Sequence, residues 1–238
     1  MIEKLSVAPE VFVYKNPEGK NKSFANFIVR HCLAKNLLMQ NKLCVRCSPL
    51  LALSLAEACK SAGVKFYAVT GASDAIKVSL LSLGAQVYEM KNGWQAMINK
   101  AVAEGAYYFD QFGDVAVVEY YASEAKKAES ELGFRPDYFV DFAGSGATLA
   151  GFALSLIGTK CVFGKMCNDL KDFDKKTHLK KVESLVDVVK VEKTDVYALQ
   201  ELYSKSAEIG KANIGSFVSL KTAQLLSQKG RVLIYWEN

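Results

Sequence analysis

The stretch YFVDFAGSGATLAGFAL, Tyr138 to Leu154, decides the fold. Its opening run, Tyr138 to Ala143, has the aromatic and β-branched content of a strand. Gly144, Ser145, Gly146, Ala147 and Thr148 follow, and then small and apolar residues continue as a helix. Glycine lets the backbone take unusual angles and approach a ligand closely. A helix start presents unpaired N–H groups and the positive end of the helix dipole, which together suit a phosphate. Ser145 and Thr148 can add hydroxyl donors. The alternative is a tight turn whose small residues only permit close packing. Gly144, Gly146 and Gly151 also loosely match a dinucleotide fingerprint, but that motif follows the first strand of its domain and needs an acid ending the next strand. The next strand here, KCVFGKM (160–166), ends without one.

Outward from this stretch the chain alternates. Strand-like runs are VFVY (11–14), KLCVRC (42–47), VKFYAVT (64–70), AQVYEM (85–90), AYYFDQF (106–112), YFVDFA (138–143), KCVFGKM (160–166), VDVVKVE (186–192) and RVLIYW (231–236). Between them lie segments of helical period such as LLALSLAEACKSAG and EYYASEAKKAESELG. Several of these stop at Gly63, Gly84, Gly105 and Gly133, where a helix end takes a left-handed residue. Such alternation predicts an α/β fold of mostly parallel sheet with helices on both faces. Ligands of such sheets bind at the carboxyl ends of strands. That rule singles out the loops CSP, GAS and AGSGAT.

Composition sets the bounds. The chain has 238 residues, half of them hydrophobic, with four prolines and a formal charge of +5. Its lysines are interleaved with acids, as in ASEAKKAESELG and KDFDKKTHLKKVE, the pattern of solvated helix faces. Only KKTHLKK (175–181) approaches a basic patch, and it is too short for a nucleic-acid footprint. No apolar run reaches the roughly 18 residues of a membrane span, and the first residues lack the pattern of a signal peptide. A cytoplasmic protein with no nucleic-acid or membrane partner is the expectation. Six cysteines in a chain of this kind are expected as free thiols. Cys44 and Cys47 form a C-x-x-C, but a strand would point their sulfurs to opposite sides, and no second pair completes a zinc site.

A second stretch carries chemistry. NPEGKNKSFANFIVRHCLAKN (16–36) is a polar turn leading into an amphipathic run, with Lys22 at the mouth of that helix. A solvated cap is one reading. The other is an amine made easier to deprotonate by its positive surroundings, and hence able to attack a carbonyl.

An early amine and a later phosphate loop are what pyridoxal 5'-phosphate (PLP) requires at its two ends. The sequence resembles the fold-type-II PLP enzymes, among them cysteine synthase, cystathionine β-synthase, threonine synthase and the tryptophan synthase β chain. NPEGKNKSF resembles the family's N-P-x-G-S-x-K-D-R, which puts Lys22 at the position of the amine that holds the cofactor. GVKFYAVTGASDAIKVSLLSLGAQVYEM ends in the family's L-G-A-x-V element. FDQFGD (109–114) resembles D-Q-F-x-N of the cysteine synthase branch. DYFVDFAGSGATLAG resembles the glycine-rich phosphate loop, and NIGSFVSLKTA resembles the segment whose serine faces the pyridine nitrogen, with Ser216 as that serine. The resemblance implies two lobes, a cofactor-binding one of residues 1–47 and 129–238 and a smaller α/β one of residues 48–128. It implies that Lys22 holds PLP and moves the Cα proton, that Gly144, Ser145, Gly146, Ala147 and Thr148 hold the phosphate, and that Ser216 keeps the ring nitrogen unprotonated. The implied activity is a lyase or β-replacement reaction on a small amino acid of the serine, O-acetylserine, cysteine or threonine class. A homodimer is implied by the habit of relatives.

The chain departs from the family in one place that matters. The T-S-G-N-T-G loop, which cups the substrate carboxylate and bonds the cofactor's 3′ oxygen, is here Ser48, Pro49 and Leu50. Pro49 has no N–H to give. Arg46 and Ser48 are the candidate substrate-binding residues in its stead, Arg46 as a carboxylate fork or else as a strand-edge residue facing solvent. A non-catalytic relative serving as a binding or regulatory protein is the alternative function that this departure raises. His31 and His178 are expected as packed or surface residues, and Tyr120 and Tyr121 as core or cleft-lining.

Overall fold

The structure, a computed structural model, describes residues 1–5, 8–89, 93–142, 145–167, 177–180, 182–203 and 214–236. The chain divides into two compact units, Met1–Lys20 with Val115–Asn238, and Asn21–Asp114. Each is a parallel α/β layer structure, as the alternating sequence predicts.

The first unit holds a six-stranded sheet. In chain order its strands are β1 (Ile2–Leu5), β2 (Ala8–Tyr14), β7 (Tyr138–Asp141), β8 (Lys160–Met166), β9 (Val186–Val191) and β10 (Val232–Tyr235), and in space they run β1-β2-β10-β7-β8-β9. All neighbours are parallel except β1, which returns along β2. The helices are α5 (Val115–Leu132), α6 (Ala147–Ser155), α7 (Thr177–Lys180), α8 (Lys193–Tyr203) and α9 (Ile214–Leu226). Val11, Val13, Val140 and Ile234 alternate inward on their strands and pack on Val196, Phe217, Val218 and Leu220 of α8 and α9. Burying such a side chain contributes about 1.5–3 kcal/mol. Elsewhere in the unit, Phe139 stacks on Phe152 of α6 with ring centroids 3.8 Å apart.

The second unit holds a four-stranded parallel sheet ordered β5-β4-β3-β6, made of β3 (Lys42–Arg46), β4 (Lys65–Thr70), β5 (Gln86–Glu89) and β6 (Tyr107–Phe109). Helices α1 (Lys20–Ala34), α2 (Pro49–Ser61), α3 (Asp74–Ser82) and α4 (Trp94–Ala103) accompany it. Cys44, Tyr67 and Val69 pack against Ile98 and Ala101 of α4. On α1 the spacing of Phe24, Ile28 and Cys32 puts all three on one buried face.

The expected lobe boundaries at 47/48 and 128/129 differ from those observed. β3 is hydrogen-bonded between β4 and β6, so residues 42–46 belong to the four-stranded sheet. The other boundary falls before α5, at Asp114/Val115. The glycine stops hold their place: Gly63, Gly84, Gly105 and Gly133 all have positive φ.

Candidate active site

In the first unit β7 ends at Asp141 and α6 begins at Ala147. Gly146 is the N-cap of α6 and takes φ 82°, a left-handed conformation that a side chain would strain. A Cβ placed there would also lie 2.4 Å from Cγ of Leu179, so the turn is drawn tight against α7. The Ser145 hydroxyl accepts from the Ala147 N–H at 3.3 Å. Thr148 is 7% exposed, and its hydroxyl makes no hydrogen bond among the described residues. The first turn of a helix has N–H groups with no partner within the helix. Helix N–H donors, a glycine and the hydroxyl of a buried threonine thus stand where the sequence predicts a phosphate site, and these residues fit a phosphate. Gly144 lies outside the described residues.

Gly151, further along α6, has a different reason. A Cβ there would meet Tyr121 Cβ at 2.6 Å and the backbone of Ala122 at 2.7 Å, so it allows α5 and α6 to pack closely.

The turn before α1 is fixed from within the first unit. Asn16 Oδ1 accepts the Glu18 N–H, and its carbonyl accepts the Gly19 N–H at 2.9 Å. Asn16 Nδ2 donates to Glu124 of α5. Glu124 is fully buried and also accepts from the Tyr14 and Tyr235 hydroxyls, at 3.2 and 3.3 Å, while Lys127 pairs with its other oxygen. Burial, and then this carboxylate, push the Tyr14 phenol well above its ordinary range. Glu124 sits in the segment read from sequence as a solvated helix face. Lys126 and Lys127 are exposed there as expected, but Glu124 is not, and only its partners on distant strands could have revealed that. Lys20 Nζ lies 4.8 Å from the Tyr235 ring centroid. Lys22 is on the first turn of α1 and exposed.

In the second unit β3 runs almost directly into α2, with only Cys47 and Ser48 between them. Ser48 is the N-cap, its hydroxyl accepting from the Leu51 N–H, and Pro49 opens the helix. Ser48 therefore has a structural duty. Arg46 does not face solvent as a bare strand edge. Its guanidinium lies over the rings of Trp94 and Phe112, 4.3 and 4.7 Å from their centroids. The Gln111 side-chain amide donates to the Arg46 carbonyl.

Of the remaining candidates, Ser216 is the third residue of α9 and buried. Tyr120 and Tyr121 are buried core residues, His178 is buried, and His31 packs beside Phe27 and Phe109. All six cysteines are free. No helix among the described residues is long and apolar enough to cross a membrane.

Two helix-flanked parallel sheets, with a glycine turn opening a helix in the larger, make up the fold-type-II PLP scaffold. The protein belongs to the family of pyridoxal-phosphate dependent enzymes, whose model matches residues 28–218. The match begins beyond Lys22. No curated protein matches the chain. Among solved structures it is similar to an O-ureido-L-serine synthase, at 21% identity over 98% of this chain and 85% of that one, with a TM-score of 0.79. It is similar to an O-acetylserine dependent cystathionine β-synthase from Helicobacter pylori, at 16% identity over 100% and 92% of the two chains and a TM-score of 0.78. A hydrogen sulfide-producing enzyme from Fusobacterium nucleatum is likewise similar, at 16% identity over 100% and 94%, with a TM-score of 0.79. At these identities the likeness is one of fold.

Proposed function

We propose that this protein is a PLP-dependent enzyme acting on a small amino acid by elimination or replacement at the β carbon. The observation that carries the reading is the Gly146 turn: a left-handed N-cap at the start of α6, flanked by the Ser145 and Thr148 hydroxyls. Bound PLP supplies an electron sink that stabilises charge developing at the substrate Cα.

The chain's own residues have distinct tasks in this reading. Gly146 brings backbone close to the phosphate while the α6 N-terminus and Thr148 donate to it. Lys22 would supply the amine that holds the cofactor aldehyde and, once released, would take the Cα proton as general base and return one to the product. Ser216 presents a neutral hydroxyl to the ring nitrogen where a carboxylate would hold a proton there. That choice limits how far charge spreads and favours departure of a group from the β carbon. The O-ureidoserine, O-acetylserine and sulfide chemistries named for the structural neighbours are of this type.

The test is spectroscopic. Purified protein with added PLP is expected to develop a visible absorption band that Lys22→Ala abolishes. Serine or O-acetylserine should then change that band, with pyruvate released if elimination dominates and a new amino acid formed if a thiol or sulfide is supplied. Wild-type protein that stays colourless with PLP contradicts the reading.

A further inference from the structure

The start of α2 has lost the donors that a carboxylate-binding loop uses. Pro49 carries no N–H, and the Leu51 N–H is already taken by the Ser48 hydroxyl. Some other group at this edge of the four-stranded sheet must recognise an acidic ligand if one binds here. Arg46, the last residue of β3, stands at that edge.

Three features make Arg46 more than a surface cation. Its guanidinium is held over two aromatic rings, Trp94 at the start of α4 and Phe112 after β6. Such stacking fixes the plane of an arginine while leaving its in-plane N–H donors available. Those donors make no hydrogen bond and no ion pair among the described residues. Asp110 takes both the Tyr108 hydroxyl, at 3.3 Å, and the Phe112 N–H, at 3.1 Å, on its Oδ1. Asp110 thus holds Phe112 in place and makes no ion pair with Arg46 among the described residues. The backbone beneath is fixed as well, through Gln111 to the Arg46 carbonyl and through the Cys47 N–H to the Val69 carbonyl.

We infer that Arg46, clamped by Trp94 and Phe112, is the fork that receives the carboxylate of the amino-acid substrate, in place of the loop this chain lacks. A planar guanidinium meets a carboxylate through two parallel N–H···O bonds, stronger than neutral ones. The inference deepens the enzyme reading above and rests on it for the identity of the ligand, but its geometry lies within one unit and its test does not need the cofactor.

Trp94 is the probe. The chain has two tryptophans, so a proton–nitrogen correlation spectrum shows two indole resonances, and Trp94→Phe identifies which is which. L-serine and serinol, which replaces the carboxylate with a hydroxymethyl group, are titrated into the protein alone and then into protein loaded with PLP. Serine is expected to shift the Trp94 resonance saturably in at least one of the two forms, with the buried Trp236 unmoved and serinol without effect. Arg46→Lys keeps the charge and loses the planar fork, and should weaken the serine effect by at least about tenfold. Arg46→Gln should abolish it, and a circular-dichroism spectrum and melting temperature matching those of the wild type certify the fold of each variant. Equal shifts from serine and serinol, full affinity in Arg46→Lys, or no serine shift in either form overturns the inference. A Trp94 shift in protein that never binds PLP leaves this site standing and removes the enzyme reading. A silent Trp94 in protein that does bind PLP removes this site alone.

Discussion

The side-chain amide of Asn16 donates to the buried carboxylate of Glu124 at 2.8 Å, joining the turn that precedes α1 to the middle of α5. The same carboxylate takes the hydroxyls of Tyr14 and Tyr235 and pairs with Lys127. Truncating it strands three buried donors at once, and an unsatisfied buried donor is more costly than a hydrogen bond is favourable. Glu124→Ala is therefore expected to lose about 3 kcal/mol of stability. Glu124→Gln, which keeps shape and one acceptor, should fall between. Denaturant unfolding checks both, and a loss under about 1 kcal/mol for Glu124→Ala would contradict this role.

Gly146→Ala should weaken PLP binding at least about tenfold, because the new methyl meets strain from φ 82° and a clash with Leu179 together. Gly151→Ala is the matched comparison. It pushes α5 from α6 and should destabilise by about 1–3 kcal/mol. Equilibrium dialysis with PLP distinguishes them; unchanged affinity in Gly146→Ala would remove the turn from the phosphate site.

Alkaline conditions should weaken the fold in a defined window. Burial pushes the thiols of Cys32, Cys44, Cys59 and Cys161 from an ordinary 9.0 up to about 12. In the unfolded chain they ionise near the ordinary value, while in the folded protein they keep their protons until about 12. Between those limits the unfolded state binds fewer protons, so stability falls as pH rises through the window. Thermal melts across that range should show a falling Tm. Half-buried Cys167 should react first with a thiol reagent in the native protein. Six equally fast thiols would contradict the burial described.

Much of this was legible in the sequence because local rules governed it. The strand runs were continuous enough to read, and the glycines that end helices take the positive φ their positions require. The strand β1 is not legible in the sequence, because Ile2–Leu5 is short and mixed and exists only through its antiparallel partner β2. The sheet to which β3 belongs is not legible for a related reason: nothing within KLCVRC states which strands, here β4 and β6, will hydrogen-bond it. The glycine turn that opens α6 could be read from a short motif. Glu124 and the Arg46 clamp could not, since Tyr14, Tyr235, Trp94 and Phe112 reach them from distant parts of the chain.

Lys22 is the amine proposed to hold the cofactor, and it has a rival two residues away. Lys20 is also an amine at the start of α1, and its ammonium already rests against the ring of Tyr235. Borohydride reduction of PLP-loaded protein fixes the cofactor to whichever lysine carries it, and peptide mass mapping then locates the adduct. The added mass is expected on Lys22. The adduct on Lys20 or another lysine, or no adduct at all, would contradict it.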